Sequence, residues 1–206
     1  MTTDGSKELI SFGLEIINIL DPVDATQLNL KNRLLQYHHG GFLGLEDEAG
    51  WVSCVLALSS VVSGNYGIGA LIIDKDGKIV VSGHNEICHP YFRSDAHAEM
   101  VVISKFESKF KNRTKDGLSL YTSLEPCPMC YTRILTSGIP SIFHVANDDP
   151  GGMVQRAEVL PIYWRSMAKK HTFSKLNARE ELRSISLDIL NSNISTLDDS
   201  LRLRPI

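Results

Sequence analysis

Two short clusters, thirty residues apart, restrict how this chain can fold: His97-Ala98-Glu99 and Pro126-Cys127-Pro128-Met129-Cys130. One histidine and two cysteines are three ligands for a zinc ion, and a site with three protein ligands keeps one position open for water. Both clusters are predicted to lie at the start of a helix. The fold must therefore bring two helix N-termini, distant in sequence, to one point around one metal ion.

The second cluster has the spacing that a metal site at a helix start requires. Cys127 and Cys130 are three residues apart, so both sulfurs lie on one face, and the helix N-terminus and the metal both favour thiolates. Pro126 and Pro128 fit just before and just inside such a start, where no backbone donor is lost. Together with His97, the two cysteines are the predicted zinc ligands.

In the first cluster, Glu99 is predicted to be the catalytic acid/base. A spacing of two residues would splay His97 and Glu99 in the middle of a helix. At the mouth of a helix, however, the first residue can face the metal while the third faces the water. The glutamate would accept the water proton and deliver it to the substrate.

Composition indicates an ordinary globular protein of 206 residues, 43% hydrophobic and 22% charged, with a net charge of −3. The pI of about 6.2 does not favour broad nucleic-acid binding, although residues 105–115 contain a basic stretch. Four cysteines, two of them spaced as a metal pair, indicate a reducing, cytoplasmic compartment. The apolar run from Leu9 to Leu20 is too short to span a bilayer, so no membrane association is expected.

Periodicity divides the chain into a helical N-terminal extension over residues 1–48, a main domain over 49–191 and a polar, frayed tail over 192–206. The main domain has the order helix, hairpin, helix, strand, helix, strand, helix, which implies a mixed sheet sandwiched by helices. Strands are predicted at residues 68–74, 78–82, 118–123 and 139–146, and helices near 9–20 and 30–37, from about 51, and at 97–107, 127–137 and 178–190. Residues 159–164 are expected to be irregular.

His-Ala-Glu followed by Pro-Cys-x-x-Cys resembles the motif of the zinc-dependent nucleobase and nucleoside deaminases, the cytidine deaminase superfamily. The resemblance extends from about Trp51 to Gly152, and it points to the branch of tRNA adenosine deaminases and bacterial guanine and cytosine deaminases. The further segments that carry it are Gly69-Ala70, Gly83-His84-Asn85, Leu120 to Glu125 and Ala146 to Gly152.

This resemblance implies a fold, a reaction and a set of site residues. The implied fold is a three-layer α/β/α sandwich with a mixed five-stranded sheet. The implied reaction replaces an exocyclic amine by oxygen and releases ammonia, with Zn2+ as cofactor. The implied substrate contacts are the Asn85 side chain, backbone groups around Ala98, Ser123 and Cys127, and an acid at Asp148, unless Asp148 only shapes the turn that follows. A homodimer whose interface borders the site is also implied.

Three functions stay open at this point. Low net charge and the loop Arg93-Ser94-Asp95, where editing enzymes have Asp-Pro-Thr, favour a small-molecule deaminase acting on a free nucleobase, nucleoside or related heterocycle. The loop 148–152 favours tRNA adenosine-to-inosine editing at the anticodon, with residues 105–115 as either an RNA groove or a solvated face. The third function is a non-catalytic partner subunit, a class that often loses the glutamate present here as Glu99.

Several other residues have a structural and a functional interpretation. A purely structural zinc site would need a fourth ligand, and neither Cys88 nor His89 lies at the family's spacing. Trp164 either covers the active site or simply packs, and Arg93 meets either a phosphate or solvent. His144, in a predicted strand, is expected to be structural.

Overall fold

The computed structural model describes residues 4–202, which form helices packed on both faces of one sheet. Within this range the α-helices are α1 (Asp4–Ile19), α2 (Ala25–His39), α3 (Leu45–Val62), α4 (Ala98–Lys109), α5 (Pro128–Ser137), α6 (Ile162–Ala168), α7 (Glu180–Asn191) and α8 (Ile194–Arg202). The strands are β1 (Gly69–Ile73), β2 (Ile79–His84), β3 (Ser119–Leu124), β4 (Ser141–Ala146) and β5 (Thr172–Lys175), and a 3-10 helix spans Val154–Val159. None of these helices is both long and apolar enough to cross a membrane.

The five strands form one mixed sheet in the order β2-β1-β3-β4-β5. β1 pairs antiparallel with β2 and β3, whereas β3 with β4 and β4 with β5 are parallel pairs. Leu124 lies opposite Ala146, so β3 and β4 end side by side at their carboxyl ends. In open α/β sheets, ligands bind outside this edge. The expected mixed five-stranded sheet is confirmed.

Alternating side chains of β1 fill two separate cores. Leu71 and Ile73 pack into the core beneath α1, α2, α3 and α7, whereas Ala70 and Ile72 pack into the core beneath α4 and α5. Because both faces of β1 are covered, its sequence is a continuous apolar run rather than an alternating one. The result is a sandwich with the sheet in the middle layer.

The N-terminal helices are part of the first of these cores. Trp51 of α3 is fully buried, and its Nε1 donates to the Leu34 carbonyl of α2 at 2.9 Å. Gly13 of α1 lies directly against the indole, since a Cβ there would be 2.2 Å from Trp51 Cζ3. The Arg179 guanidinium, just before α7, lies 3.9 Å from the centroid of the Tyr37 ring of α2.

Several segments differ from what the residues predict. α3 begins at Leu45 rather than near Trp51, so the expected boundary at residue 48 falls inside a helix. Up to residue 202 the tail is not frayed as expected, because the half-buried Ile194, Leu197 and Leu201 form one face of α8. Residues 159–164 contain the start of α6 rather than irregular chain.

β5 has no counterpart among the strands that the residues predict. It is an edge strand of four residues, none of them buried, so it shows no apolar pattern. The division of the chain into extension, main domain and tail stays a prediction. Residues 1–3 and 203–206, at its two ends, lie outside the described residues.

Candidate active site

Both ligand clusters lie at helix starts, as their sequence predicts. His97 immediately precedes α4 and Cys127 immediately precedes α5, and both have extended backbones, with ψ of 154° and 170°. Cys130 lies in the first turn of α5. Because the backbone of His97 is extended rather than helical, its side chain is not directed away from that of Glu99 as it would be within a helix. His97 and Glu99 therefore line the same cavity.

The donor atoms of His97, Cys127 and Cys130 all lie within 4.8 Å of one another. Cys127 Sγ is 3.7 Å from His97 Nδ1. Sulfur and nitrogen ligands at about 2.3 and 2.0 Å from a tetrahedral zinc are roughly 3.5 Å apart, so this spacing fits the metal. Neither Cys88 nor His89 belongs to the group, which has no fourth protein ligand within residues 4–202.

Glu99 lies in the first turn of α4 and is only 3% exposed. Its Oε2 accepts from Cys130 Sγ at 3.3 Å, so the carboxylate contacts one of the three donor atoms. Burial raises the pKa of this carboxyl, and the neighbouring Cys127 raises it further. A raised pKa suits a carboxyl that must both accept and return a proton near neutral pH.

The two cysteines differ in their acidity. The hydrogen bond from Cys130 lowers the pKa of Cys127 to about 4 against the effect of burial, and His97 adds to this. The same hydrogen bond, with burial, raises the pKa of Cys130 well above its usual range. Burial lowers the pKa of His97, but Cys127, Glu99 and Asp95 together raise it and the net shift is upward. Cys127 is therefore a thiolate, the form that ligates zinc.

A cavity of about 530 Å³ opens beside these residues, a size that suits a single small molecule. Five of the predicted site residues line it: His97, Glu99, Cys127, Asn85 and Asp148. Cys130 is buried at the cluster and does not line the cavity. The structure thus brings most of the predicted site into one place.

Asn85 carries an unpaired donor at the cavity. Its Oδ1 accepts from the Ile87 backbone N–H at 3.0 Å, whereas its buried Nδ2 has no partner within residues 4–202. A buried donor without a partner is costly unless a ligand or water meets it. This arrangement fits the predicted contact between Asn85 and a substrate.

Asp148 both shapes its turn and lines the cavity. Its Oδ1 accepts from the Gly151 backbone N–H at 3.1 Å, and its own N–H donates to Glu125 Oε2 at 3.2 Å. Burial raises the pKa of the Asp148 carboxyl. The two interpretations of Asp148 from sequence are therefore compatible.

Ala98 and Ser123 do not line the cavity. Ala98 packs into the core beneath α4, and Ser123 Oγ accepts from the Gly69 backbone N–H at 3.1 Å. The carbonyl of Ser123 already accepts from Ser186 Oγ at 2.5 Å. The backbone contacts to substrate that the family resemblance implies for Ala98 and Ser123 stay predictions.

Sequence reasoning missed the wall that α7 and α8 form beside the cavity. Its apolar lining residues are Leu187, Leu190, Ile194 and Leu201. Two hydrogen bonds hold α8 and the turn before it: Tyr66 OH donates to Asp198 Oδ1 at 2.8 Å, and Asn193 Nδ2 donates to the Asn65 carbonyl at 2.8 Å. The apolar spacing within α8 is a signal in the sequence, but the polar composition of the segment obscures it.

The basic stretch at residues 105–115 lies away from the cavity. α4 runs from the ligand cluster to Lys109, about 17 Å further along the helix axis. Arg113 pairs with Asp74, after β1, at 3.3 Å. No lysine or arginine among the described residues lines the cavity. Arg93 pairs with Asp95 at 3.1 Å, so its guanidinium meets a carboxylate.

Comparison with known proteins agrees with this geometry. The sequence profile of the cytidine and deoxycytidylate deaminase zinc-binding region matches residues 47–146. The tRNA-specific adenosine deaminase of Aquifex aeolicus (strain VF5) is 30% identical over 132 residues, 64% of this chain and 86% of that protein. The guanine deaminase of Bacillus subtilis (strain 168) is 35% identical over 91 residues, 44% of this chain and 58% of that protein.

Among solved structures, one from work on A-to-I editing by tRNA:A34 deaminases at the wobble position of transfer RNA has a TM-score of 0.53. It is 27% identical in sequence, and the superposition covers 67% of this chain and 95% of that one. The profile match contains both ligand clusters and Glu99, whereas α1, α2, α7 and α8 lie outside it. The chain belongs to the cytidine and deoxycytidylate deaminase zinc-binding family, and its relatives include tRNA adenosine deaminases and guanine deaminases.

Proposed function

We propose that this protein is a zinc-dependent hydrolytic deaminase that replaces an exocyclic amine by oxygen on a free nucleobase, a nucleoside or a related amino-heterocycle and releases ammonia. The observation that carries the proposal is the buried Glu99 carboxylate beside a three-donor cluster at the wall of a cavity. A structural zinc site has four protein ligands and needs no acid/base group beside it.

His97, Cys127 and Cys130 would hold the zinc ion. When bound, zinc supplies the Lewis acidity that lets a water molecule act as a nucleophile near neutral pH. Glu99 accepts one proton of that water and delivers it to a ring nitrogen as the oxygen bonds to the amine-bearing carbon. It then takes the remaining proton from the new hydroxyl group and passes it to the amine as the carbon–nitrogen bond breaks. The water oxygen replaces the amine, which leaves as ammonia.

The other residues at the cavity bind and orient the heterocycle. Asn85 donates through Nδ2 to an acceptor on the ring, and Asp148 accepts from a donor on its edge. Leu187, Leu190 and Ile194 provide apolar contacts for a flat ring. Holding the ring in a fixed orientation brings its amine-bearing carbon to Glu99 and the attacking water.

Charge at the cavity supports a free heterocycle rather than tRNA as the substrate. A base flipped out of RNA brings flanking phosphates, which require cationic groups nearby. Here the charged groups at the cavity include the acids Glu125, Asp148 and Asp149, and the basic stretch is at the other end of α4. Arg156, beside these acids, already donates to the carbonyls of residues 149, 150 and 152, and no lysine or arginine within residues 4–202 lines the cavity to receive a phosphate.

The second candidate function is tRNA adenosine-to-inosine editing. Its support is similarity to the tRNA-specific adenosine deaminase of Aquifex aeolicus and to the structure of a tRNA:A34 deaminase. A third candidate, a non-catalytic partner subunit, would keep the zinc cluster for folding alone. The buried Glu99 weighs against that candidate, because non-catalytic subunits often lose this glutamate.

Zinc-loaded protein incubated with guanine, adenine, cytosine and their nucleosides tests the proposal by ammonia release. An anticodon stem-loop with adenosine at the wobble position, assayed for inosine, runs in parallel. We expect ammonia from at least one free compound and no inosine in the RNA. Inosine in RNA alone would overturn the proposal in favour of editing, and no product from either would favour the partner subunit.

The homodimer that the family resemblance implies is part of the same proposal. Sedimentation velocity of the zinc-loaded protein tests it directly. A species of twice the 22.9 kDa chain mass is expected, and a species of 22.9 kDa alone would contradict the dimer.

A further inference from the structure

Asn147 lies one residue past β4 and lines the cavity. Two hydrogen bonds fix its neighbours to Glu125: the Ala146 carbonyl accepts from Glu125 N at 2.8 Å, and Asp148 N donates to the Glu125 side chain, at Oε2, at 3.2 Å. Glu125 begins the short segment that leads to Cys127. The backbone of Asn147 is therefore held in register with the ligand cluster.

His144 of β4 determines which way the Asn147 amide faces. His144 Nε2 lies 3.2 Å from Asn147 Oδ1, and because a carbonyl oxygen only accepts, this contact is a hydrogen bond when Nε2 carries the proton. His144 is 3% exposed, and burial lowers its pKa, which favours the neutral ring. With the proton on Nε2, Nδ1 of the neutral ring is unprotonated. The buried Nδ1 has no partner within residues 4–202, so this tautomer leaves no N–H buried without an acceptor.

With Oδ1 engaged by His144, the amide nitrogen of Asn147 is the group left for a ligand. Nδ2 makes no hydrogen bond within the described part of the chain, and the same holds for Asn85 Nδ2. Two amide donors and the Asp148 carboxylate thus border one cavity. A flat heterocycle with two acceptors and one donor on its edges would satisfy all three groups.

We propose that Asn147 binds the substrate through Nδ2, as a donor to a carbonyl oxygen or an unprotonated ring nitrogen, and that His144 is the positioning residue that holds the amide in this orientation. This inference deepens the proposed function and rests on it. It also predicts the specificity of the site. A heterocycle with a carbonyl facing Asn147 Nδ2 should bind better than its amino counterpart, because an amine there would place a second N–H donor against Nδ2.

A double-mutant cycle on the zinc-loaded protein tests this proposal, with kcat and KM measured for guanine, adenine, cytosine and 2,6-diaminopurine. Asn147→Ala removes the substrate contact, and His144→Phe removes only the donor to Oδ1. Each should raise KM by about 3-fold to 10-fold, the range of one hydrogen bond, with less effect on kcat. The double variant should be no worse than Asn147→Ala alone.

His144→Gln is the matched control, because its side-chain amide nitrogen can replace Nε2 as the donor and should restore KM. An NMR correlation of the His144 ring in the wild type identifies the protonated nitrogen without any substrate. Protonation at Nε2 supports the proposal, whereas protonation at Nδ1 alone would overturn it, because the amide would then face the other way.

The kinetic outcomes are separable. An unchanged KM in an active His144→Phe variant, or effects that simply add in the double variant, would overturn the positioning role. If the wild type releases no ammonia from any of the four compounds or from the nucleosides, the substrate contact is overturned together with the proposed function. That result differs from an active enzyme whose KM does not change.

Discussion

The hydrogen bond between Tyr66 and Asp198 gives a direct test of the wall that α8 forms beside the cavity. Tyr66 OH donates to Asp198 Oδ1 at 2.8 Å. Burial raises the pKa of Tyr66, and Asp198 raises it further, so the phenol keeps its proton at neutral pH. Tyr66→Phe keeps the ring and removes this donor. A hydrogen bond to a charged group contributes about 1.5 to 3 kcal/mol, and partial exposure of Asp198 favours the lower value.

A loss of about 1.4 kcal/mol changes an equilibrium constant tenfold. Local opening of α8 should therefore become about tenfold more frequent, and amide hydrogen exchange in residues 194–202 should accelerate by the same factor. Peptides from α3 should exchange as in the wild type. Because Ile194 and Leu201 line the cavity, KM for a free heterocycle should also rise.

Asp199→Asn is the matched control. Asp199 lies on the same helix, but its side chain and that of Arg202, 4.0 Å away, are both mostly exposed. Such a pair contributes little, so exchange in α8 should not change. Equal exchange in Tyr66→Phe and the wild type would refute the reasoning, and faster exchange throughout the chain would show global destabilisation instead.

Three further predictions concern stability. Gly13→Ala places a Cβ 2.2 Å from Trp51 Cζ3 and should lower the free energy of unfolding by about 1 to 3 kcal/mol, measured by urea denaturation; an unchanged midpoint would contradict this packing. Cys127→Ser should lose zinc and lower Tm, and a chelator should lower Tm of the wild type but not of this variant. Burial holds the pKa of His144 below the unfolded value of about 6.5, so the unfolded chain takes up a proton first. Stability should therefore fall as pH drops below 6.5, and His144→Gln should flatten that fall.

Local patterns were enough to predict the ligand cluster and most of the sheet. The spacing of Cys127 and Cys130 and the flanking prolines mark a helix start without any tertiary information. β1, buried on both faces, is a continuous apolar run, and its turn at Lys75-Asp76-Gly77 marks the hairpin. These features are encoded within a few residues of one another.

The parts that could not be predicted depend on contacts between distant segments. α8 carries few apolar residues, and its position follows from Tyr66, 132 residues away from Asp198. The orientation of the Asn147 amide depends on His144. From its place in a predicted strand, His144 is expected only to have a structural role. The boundary predicted at residue 48 lies inside α3, and Trp51 of that helix donates to the Leu34 carbonyl of α2, a contact that local periodicity does not reveal.

The most direct test of the central claim measures zinc content and ammonia release on the same preparations of wild type, Glu99→Gln and Cys127→Ser. Glu99 is next to the donor atoms without being one of the three, so Glu99→Gln should keep about one zinc per chain and lose turnover. Cys127→Ser should lose both. Loss of zinc from Glu99→Gln, or turnover that survives in it, would contradict the account.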